Sequence, residues 1–379
     1  MKDAVAIAGI AQTPFSKHLP DSERALAARV IVDACADAGI DPAEIDGMTS
    51  YTMENNEEVD IAKTVGAGDV TFFAQVGYGG GAGPGCVGLL AMAVATGQCR
   101  VGVAWRSRKR GSGGRPWANS QYGQMTTGQW SRPWGLLRPV DEISMLWRRY
   151  MHDYGGTRDH LANVALSVRA MAGNNPNAIM HGRPLTREEY FAARWISEPL
   201  CLFDNCLETD GALACVLVRA ERAADLRQKP AYIHAWAQGM PAQVHSMINY
   251  FDDDPLRGPG WTCASQLYRN SDIGPKDIQV AQLYDAFTPL VIFSLEAYGF
   301  CGRGEGGPFT EDGNISVGGR LPVNTSGGGL SEAYVHGFNH IVEGVRQVRG
   351  SSVNQVAGCE TALVTAGECV PTSAMILRG

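Results

Sequence analysis

An α/β fold built from two similar halves is predicted by three features of the sequence. Strand-like apolar runs alternate with stretches of helical spacing, the opening pattern returns near the middle of the chain, and Gly-rich turns stand where strands hand over to helices. The run VAIAGIA (5–11) reads as the first strand, and ERALAARVIVDACADAGI (23–40) as a helix whose C-terminal stop is Gly39. IAGIAQ (7–12) is echoed by IHAWAQ (233–238). Each is followed by a helical stretch and then by a second matching phrase, GIDPAEID (39–46) and DIGPKDIQ (272–279). Two matches in one order argue for an internal duplication joined near residues 221–231, with an N-terminal half over 1–225 and a C-terminal half over 226–379. Between them, RSRKRGSGGRPWANSQYGQMTTGQWSRPWG (106–135) has no apolar periodicity and reads as a long surface excursion. It opens a loop insertion spanning about 106–200 of the first half.

Composition narrows the function classes. With 379 residues, 45% of them apolar, the chain can bury a large core, and a net charge of -7 supplies no field that would gather nucleic acid or anionic lipid. The opening MKDAVAIAGIAQTPF has too short an apolar run for a signal peptide, and no stretch reaches the roughly 18 apolar residues of a membrane span. A cytoplasmic location is the expectation. The ten cysteines are scattered without a Cys-x-x-Cys pair, so they read as small buried residues or reduced thiols, with no metal site expected.

Three passages carry the chemistry. The first is YGGGAGPGCVGLLAMAVATGQCRVGVAW (78–105), a tight turn into a helix and then a strand. Gly83, Gly85 and Gly88 satisfy G-x-G-x-x-G, and Arg106 and Arg108 stand where an NADP 2′-phosphate partner belongs, which keeps a dinucleotide-dependent oxidoreductase in view. Against it, Pro84 interrupts the pattern, which lies mid-half instead of opening it. The second passage is QLYDAFTPLVIFSLEAYGFCG (282–302), and the third is GGRLPVNTSGGGLSEAYVHGFNHIVEGVRQVRG (318–350).

In order and spacing these passages resemble the three active-site loops of the thiolase superfamily, particularly its lipid-transfer and sterol-carrier branch. YDAF (284–287) resembles the family's Asn-Glu-Ala-Phe or His-Asp-Cys-Phe loop, NTSGGGLSEAYVHG (324–337) its Asn-x-x-Gly-Gly and Gly-His-Pro loop, and ETDGALACVLV (208–218) the strand closing its first half. The resemblance spans nearly the whole chain and implies a thiolase fold, two βαβαβαββ halves in α/β/α/β/α layers. The departures are chemical. Ala82 or Gly83 stands at the place of the nucleophilic cysteine, Tyr284 and Tyr334 replace the polar residues of the second and third loops, and the C-terminal acid/base cysteine falls near Ala366. Cys86 and Cys369 lie nearby, but the histidines that would make a thiolate are gone, so Cys86 reads as a packed residue.

A paired replacement by tyrosine resembles the thiolase-like aldolases that end actinobacterial steroid side-chain degradation, which split a β-hydroxyacyl-CoA with a tertiary alcohol into a ketone and a short acyl-CoA. That resemblance implies a carbon–carbon lyase with Tyr284 and Tyr334 as its catalytic groups; which of them is base and which is acid stays open, with Tyr334 chosen as the residue nearest the alcohol and Tyr284 as the one protonating the enolate. Coenzyme A would enter as part of the substrate, with no tightly bound cofactor. It also implies a homodimer through VTFFAQVGY (70–78) and a small zinc-ribbon, OB-fold partner completing a heterotetramer. Gly327, Gly328 and Gly329 are candidate oxyanion donors, or else a tight turn without a ligand. His336 is a candidate for orienting its loop, and Asp285, alternating away from Tyr284, is assigned no chemistry. Arg106, Arg108 and Lys109, with Arg110, either meet the CoA phosphates or form a solvated charged loop. Two alternatives stay open: a cysteine-dependent acyltransferase built on Cys86, and a noncatalytic lipid or acyl-CoA carrier.

Overall fold

A computed structural model describes residues 2–51, 54–114, 128–243, 247 and 252–379. Eleven strands are present among these residues: β1 (Val5–Gln12), β2 (Gly47–Tyr51), β3 (Phe72–Val76), β4 (Val101–Lys109), β5 (Trp195–Ser197), β6 (Leu200–Cys201), β7 (Asp210–Arg219), β8 (Ala231–Gly239), β9 (Val280–Gln282), β10 (Thr361–Thr365) and β11 (Thr372–Arg378). The helices of six residues or more are α1 (Glu23–Ala38), α2 (Glu58–Val65), α3 (Gly83–Ala95), α4 (Pro139–Tyr154), α5 (Arg158–Asn174), α6 (Arg187–Ala192), α7 (Pro259–Arg269), α8 (Thr288–Ala297) and α9 (Phe338–Arg349). None of the described helices is long and apolar enough to cross a membrane.

The duplication is written into the sheet. Its order is β3-β2-β4-β7-β1-β8-β11-β10-β9, so the first half reads outward from the centre as β1, β7, β4, β2, β3 and the second as β8, β11, β10, β9. The second half's missing fifth strand survives as a parallel bridge from Ala281 to Val323. Corresponding pairs share direction: β2 with β4 and β9 with β10 are parallel, while β4 with β7 and β10 with β11 are antiparallel. The echoed phrases fall on equivalent places, since IAGIAQ and IHAWAQ lie on β1 and β8, and each second phrase contains a 3-10 turn, Pro42–Glu44 and Pro275–Asp277. The halves meet where Ala6 and Ile7 pair with Tyr232 and Ala231.

Strand alternation divides the core into layers. On β1, Val5 and Ile7 enter an apolar cluster shared by both halves, whereas Ala6 and Ala8 enter one beneath α1. On β11, Met375 and Leu377 face the shared cluster, and Ala374 and Ile376 face the outer side of the second half. Helices α3 and α9 fill the shared layer and touch strands of both halves. Helix α1 covers one outer face and α7 the other. The Gly-rich composition of α3 follows from this burial: a Cβ on Gly88 would stand 2.3 Å from the Trp236 ring and one on Gly85 2.1 Å from the Tyr78 hydroxyl oxygen. These glycines allow close helix packing, so the apparent dinucleotide fingerprint is not a phosphate loop.

The expected surface excursion is corrected at its start. Residues 106–109 finish β4, with Arg106 and Ser107 fully buried, because paired arginines hid a core strand from the apolar pattern. Residues 115–127 of that stretch lie outside the described residues. Much of the rest of the insertion is helical, with β5 near its end: α4 and α5 place Trp147, Tyr150, Leu161 and Val168 in the apolar cluster of the second half. At the sheet edge, β3 alternates in exposure and presents Phe73 to solvent at 68%.

Candidate active site

Two loops of the second half and the start of α3 converge. Tyr284 stands two residues beyond the end of β9, at the carboxyl end of a parallel strand pair. Its amide donates to Thr365 Oγ1 at 3.1 Å. Tyr334 stands between the π-turn Gly328–Glu332 and α9, its amide bonded to Thr209 Oγ1 at 3.1 Å. The two hydroxyl oxygens are 2.6 Å apart, and both side chains are buried. Tyr284 has glycines packed around it: a Cβ on Gly80 would lie 2.2 Å from its hydroxyl oxygen, and one on Gly337, which also has φ +80°, 2.8 Å from its ring. Ala82 caps the start of α3, where Gly83 approaches the His336 carbonyl.

Burial raises both phenols, but unequally. Tyr284 is held well above its ordinary range by burial and by Tyr334. Tyr334 is pushed up to about 12 by burial, and Arg110 and the hydrogen bond from Tyr284 pull it back. The Arg110 guanidinium lies 5.1 Å from the centroid of the Tyr334 ring. Either hydroxyl can donate across the pair, and the Arg110 cation beside Tyr334 favours negative charge on the Tyr334 oxygen.

Behind Tyr334, His336 sits edge-on to its ring in a left-handed backbone conformation, φ +51°. Its Nδ1 is 2.7 Å from Arg106 Nη2 and its Nε2 2.9 Å from Arg110 Nη1. Burial and the arginines Arg106, Arg110 and Arg108 keep the imidazole neutral, well below its usual range. A neutral ring offers one acceptor nitrogen, so it fully satisfies only one of the two guanidiniums. Arg106 also donates to Tyr51 O at 2.9 Å and lies 3.7 Å from Glu54, and the Tyr51 hydroxyl donates to His336 O at 2.9 Å. His336 thus belongs to a buried cluster that fixes the Tyr334 loop.

Several expected sites are corrected. The Gly327 amide donates to Asn324 O at 2.8 Å and the Gly329 amide to Asp285 Oδ1 at 2.7 Å, so neither is aimed at an oxyanion. A Cβ on Gly328, φ +57°, would meet Asp285 Oδ2 at 2.1 Å; this run is a tight turn wrapped around a carboxylate. Arg106, Arg108 and Lys109 form neither a solvated loop nor a phosphate cradle. Arg106 is fully buried, Arg108 lies 3.8 Å from Glu23, and Lys109 Nζ donates to the Leu19 and Asp21 carbonyls. Cys86 is fully buried, with its thiol pushed up to about 12 by burial, and burial also holds the Cys369 thiol well above its ordinary range. Among the described residues no group of three or more His, Cys, Asp or Glu is placed to hold a metal.

Asp285 and His340 were passed over. The Asp285 carboxylate accepts from His340 Nε2 at 2.9 Å as well as from Gly329 and Leu330, and both side chains are 1% exposed. The only signal for that pair was an acid beside Tyr284 and a histidine six residues beyond Tyr334. Glu332 was also missed; it accepts from Ser326 at 2.6 Å and Asn339 at 3.0 Å, and burial pushes it up to about 7.

Comparison with known proteins agrees with this architecture. The thiolase C-terminal domain-like family matches residues 243–378. The chain is 47% identical to a 17-hydroxy-3-oxo-4-pregnene-20-carboxyl-CoA lyase of Mycobacterium tuberculosis over 98% of each chain. It is 46% identical to a steroid side-chain-cleaving aldolase of Thermomonospora curvata, covering 99% of this chain and 97% of that one. A solved Ltp2-ChsH2(DUF35) aldolase superposes with a TM-score of 0.96 at 45% identity, over 100% of this chain and 98% of that chain. With a thiolase fold and identity near one half over the full length, the chain belongs to the steroid side-chain-cleaving aldolase family of the thiolase superfamily.

Proposed function

We propose that this chain is a carbon–carbon lyase that splits a steroid β-hydroxyacyl-CoA by a retro-aldol reaction, with Tyr334 and Tyr284 as its acid–base pair. The observation that carries the reading is the buried hydroxyl pair, 2.6 Å apart, beside Gly80 just ahead of α3, whose Cys86 is fully buried. Tyr334 takes the alcohol proton as the carbinol oxygen becomes a carbonyl and passes its own proton across the 2.6 Å hydrogen bond to Tyr284. The bond to the α-carbon breaks, and its electron pair passes into the thioester as an enolate. Tyr284 gives its proton to the α-carbon as it receives the one from Tyr334, so both phenols end as they began and the products are a ketone and an acyl-CoA with no covalent intermediate. The cations Arg106 and Arg110 make the surroundings favourable to the developing negative charge.

The substrate named for the M. tuberculosis relative, with a 17-hydroxyl and a carboxyl-CoA on carbon 20, would yield a 17-ketone and propionyl-CoA. We extend that class to this chain, with coenzyme A entering as part of the substrate. A homodimer through the β3 edge and a small zinc-ribbon, OB-fold partner belong to the same reading, supported by exposed Phe73 and by the two-component name of the structural relative. The test is to incubate the chain, alone and with its co-expressed partner, with 17-hydroxy-3-oxo-4-pregnene-20-carboxyl-CoA and follow propionyl-CoA. Release that survives iodoacetamide is expected. No acyl-CoA release in either preparation leaves a carrier, and release abolished by both alkylation and Cys86→Ala restores the acyltransferase.

A further inference from the structure

A cation on the insertion is held by aromatic rings instead of by an acid. Arg158 opens α5, and its guanidinium carbon lies 4.2 Å from the ring centroid of Trp195, 4.8 Å from that of Phe191 and 5.6 Å from that of Tyr190. Its Nε and Nη2 are buried and have no hydrogen-bond partner among the described residues. The acids nearby in the chain are engaged elsewhere: Asp159 with Arg187 at 2.7 Å, Glu189 with the Thr186 amide at 2.8 Å and Glu198 with Arg148 at 3.4 Å. Ring faces attract a cation but accept none of its in-plane N–H bonds, and the positive end of α5 adds repulsion. The charge is left without a counter-ion from its own chain.

The surroundings define what would supply one. Trp195 and Phe191 are exposed, and so is Leu202, whose amide donates to Arg194 O at 3.0 Å beside Trp195; together they make an apolar rim about the charge. A small anion would leave that rim wet, so the fitting occupant is a polypeptide segment that sets a carboxylate among apolar side chains. A second copy of this chain fits badly, because a twofold contact through this face would bring Arg158 against its own equivalent. The face also connects to the tyrosine pair. The Tyr190 hydroxyl donates to Asp204 Oδ1 at 2.6 Å, the same oxygen accepts from Thr288 Oγ1 at 2.7 Å, and Thr288 opens α8 just after the Tyr284 loop. From the adjoining turn, the Cys206 amide donates to Ala286 O at 2.9 Å.

We propose that Arg158, rimmed by Trp195, Phe191 and Leu202, is the docking seat for a carboxylate on the small partner protein. The assignment rests on the two-component form of the lyase reading and specifies where, and by what chemistry, the second component binds. The test measures association of the full chain with the ChsH2(DUF35) component of the structural relative by calorimetry, with no substrate present. Arg158→Gln should weaken association about 30-fold and Arg158→Glu about 100-fold or more, while Arg158→Lys, which keeps the charge, stays within about 10-fold of wild type. Leu202→Ala should cost about 10-fold, and this arm stands should an Arg158 variant fail to fold. Wild-type affinity should fall as salt is raised, and that of Arg158→Gln should fall less. When surface carboxylates of the component are changed singly to Lys, one of them should restore binding to Arg158→Glu.

Equal association by wild type, Arg158→Gln and Arg158→Glu, the same salt dependence in wild type and Arg158→Gln, no restoring partner among the carboxylates, or no association by wild type each overturns the proposal. Turnover of the steroid thioester is measured separately. Arg158-dependent association in a complex that releases no acyl-CoA sinks the lyase reading and leaves the seat, whereas release by a complex indifferent to Arg158 sinks only the seat.

Discussion

At the scale of single residues, the tyrosine pair and the buried acids make different demands. Tyr284→Phe and Tyr334→Phe each keep the packed ring and delete the hydroxyl to which the proposed reaction gives the proton transfer. Each should lower kcat about 100- to 10,000-fold with little change in KM, and the double variant should fall well short of the product of the two losses. Steady-state kinetics on the purified variants checks this, and near wild-type turnover in both would end the tyrosine mechanism. Glu332 makes a prediction about stability. Its folded pKa, raised from 4.5 to about 7 by burial, means that the native state holds a proton the unfolded chain releases. The corresponding stability is complete below pH 4.5 and is lost as pH rises through about 7. Wild type should therefore lose stability between about pH 5 and 8, by up to about 3 kcal/mol, relative to Glu332→Gln. Parallel denaturation curves across that range would show otherwise.

At the scale of elements, the glycine turn at 327–329 is a clamp around Asp285. That carboxylate ties the loop after β9 to the loop before α9 through two backbone amides and His340, and so holds Tyr284 and Tyr334 in register. Asp285→Ala strands a buried imidazole and two amides and should cost about 3 kcal/mol of stability along with most activity. Asp285→Asn, which retains an oxygen for the Gly329 amide, should recover part of both. Urea titration with matched assays checks the pair of variants; full activity in the Ala variant would show that the clamp does not position the phenols. This element was half legible in the sequence. The YDAF and SEAY loops gave the tyrosines, but contact between a side chain at 285 and amides more than forty residues later follows only from folding the two loops together.

At the scale of the whole molecule, large apolar side chains stand exposed in two further places. The β3 edge exposes Phe73, and the insertion helices expose Trp134 at 83% just before α4. If the small partner covers apolar surface, the chain made alone should be poorly soluble or weakly active, and co-expression should restore both. Sedimentation and activity of the two preparations decide this; a fully active, well-behaved chain without the partner would refute it.

The sequence by itself determined the two-half α/β plan, because strand and helix periodicities are local and the echoed phrases mark equivalent strands. It also singled out Tyr284 and Tyr334, whose hydroxyls the fold brings together. Tertiary structure alone decided what the charges do. Arg106 and Lys109 looked like solvent-facing cations, and Gly327–Gly329 like open donors, since a sequence shows a residue's polarity but not the partner that neutralises it. Burying Arg106 against His336, Tyr51 and Glu54, and the Gly329 amide against Asp285, requires segments far apart in the chain to close around one another. Desolvation then fixes which of those polar groups are structural and which remain chemically poised.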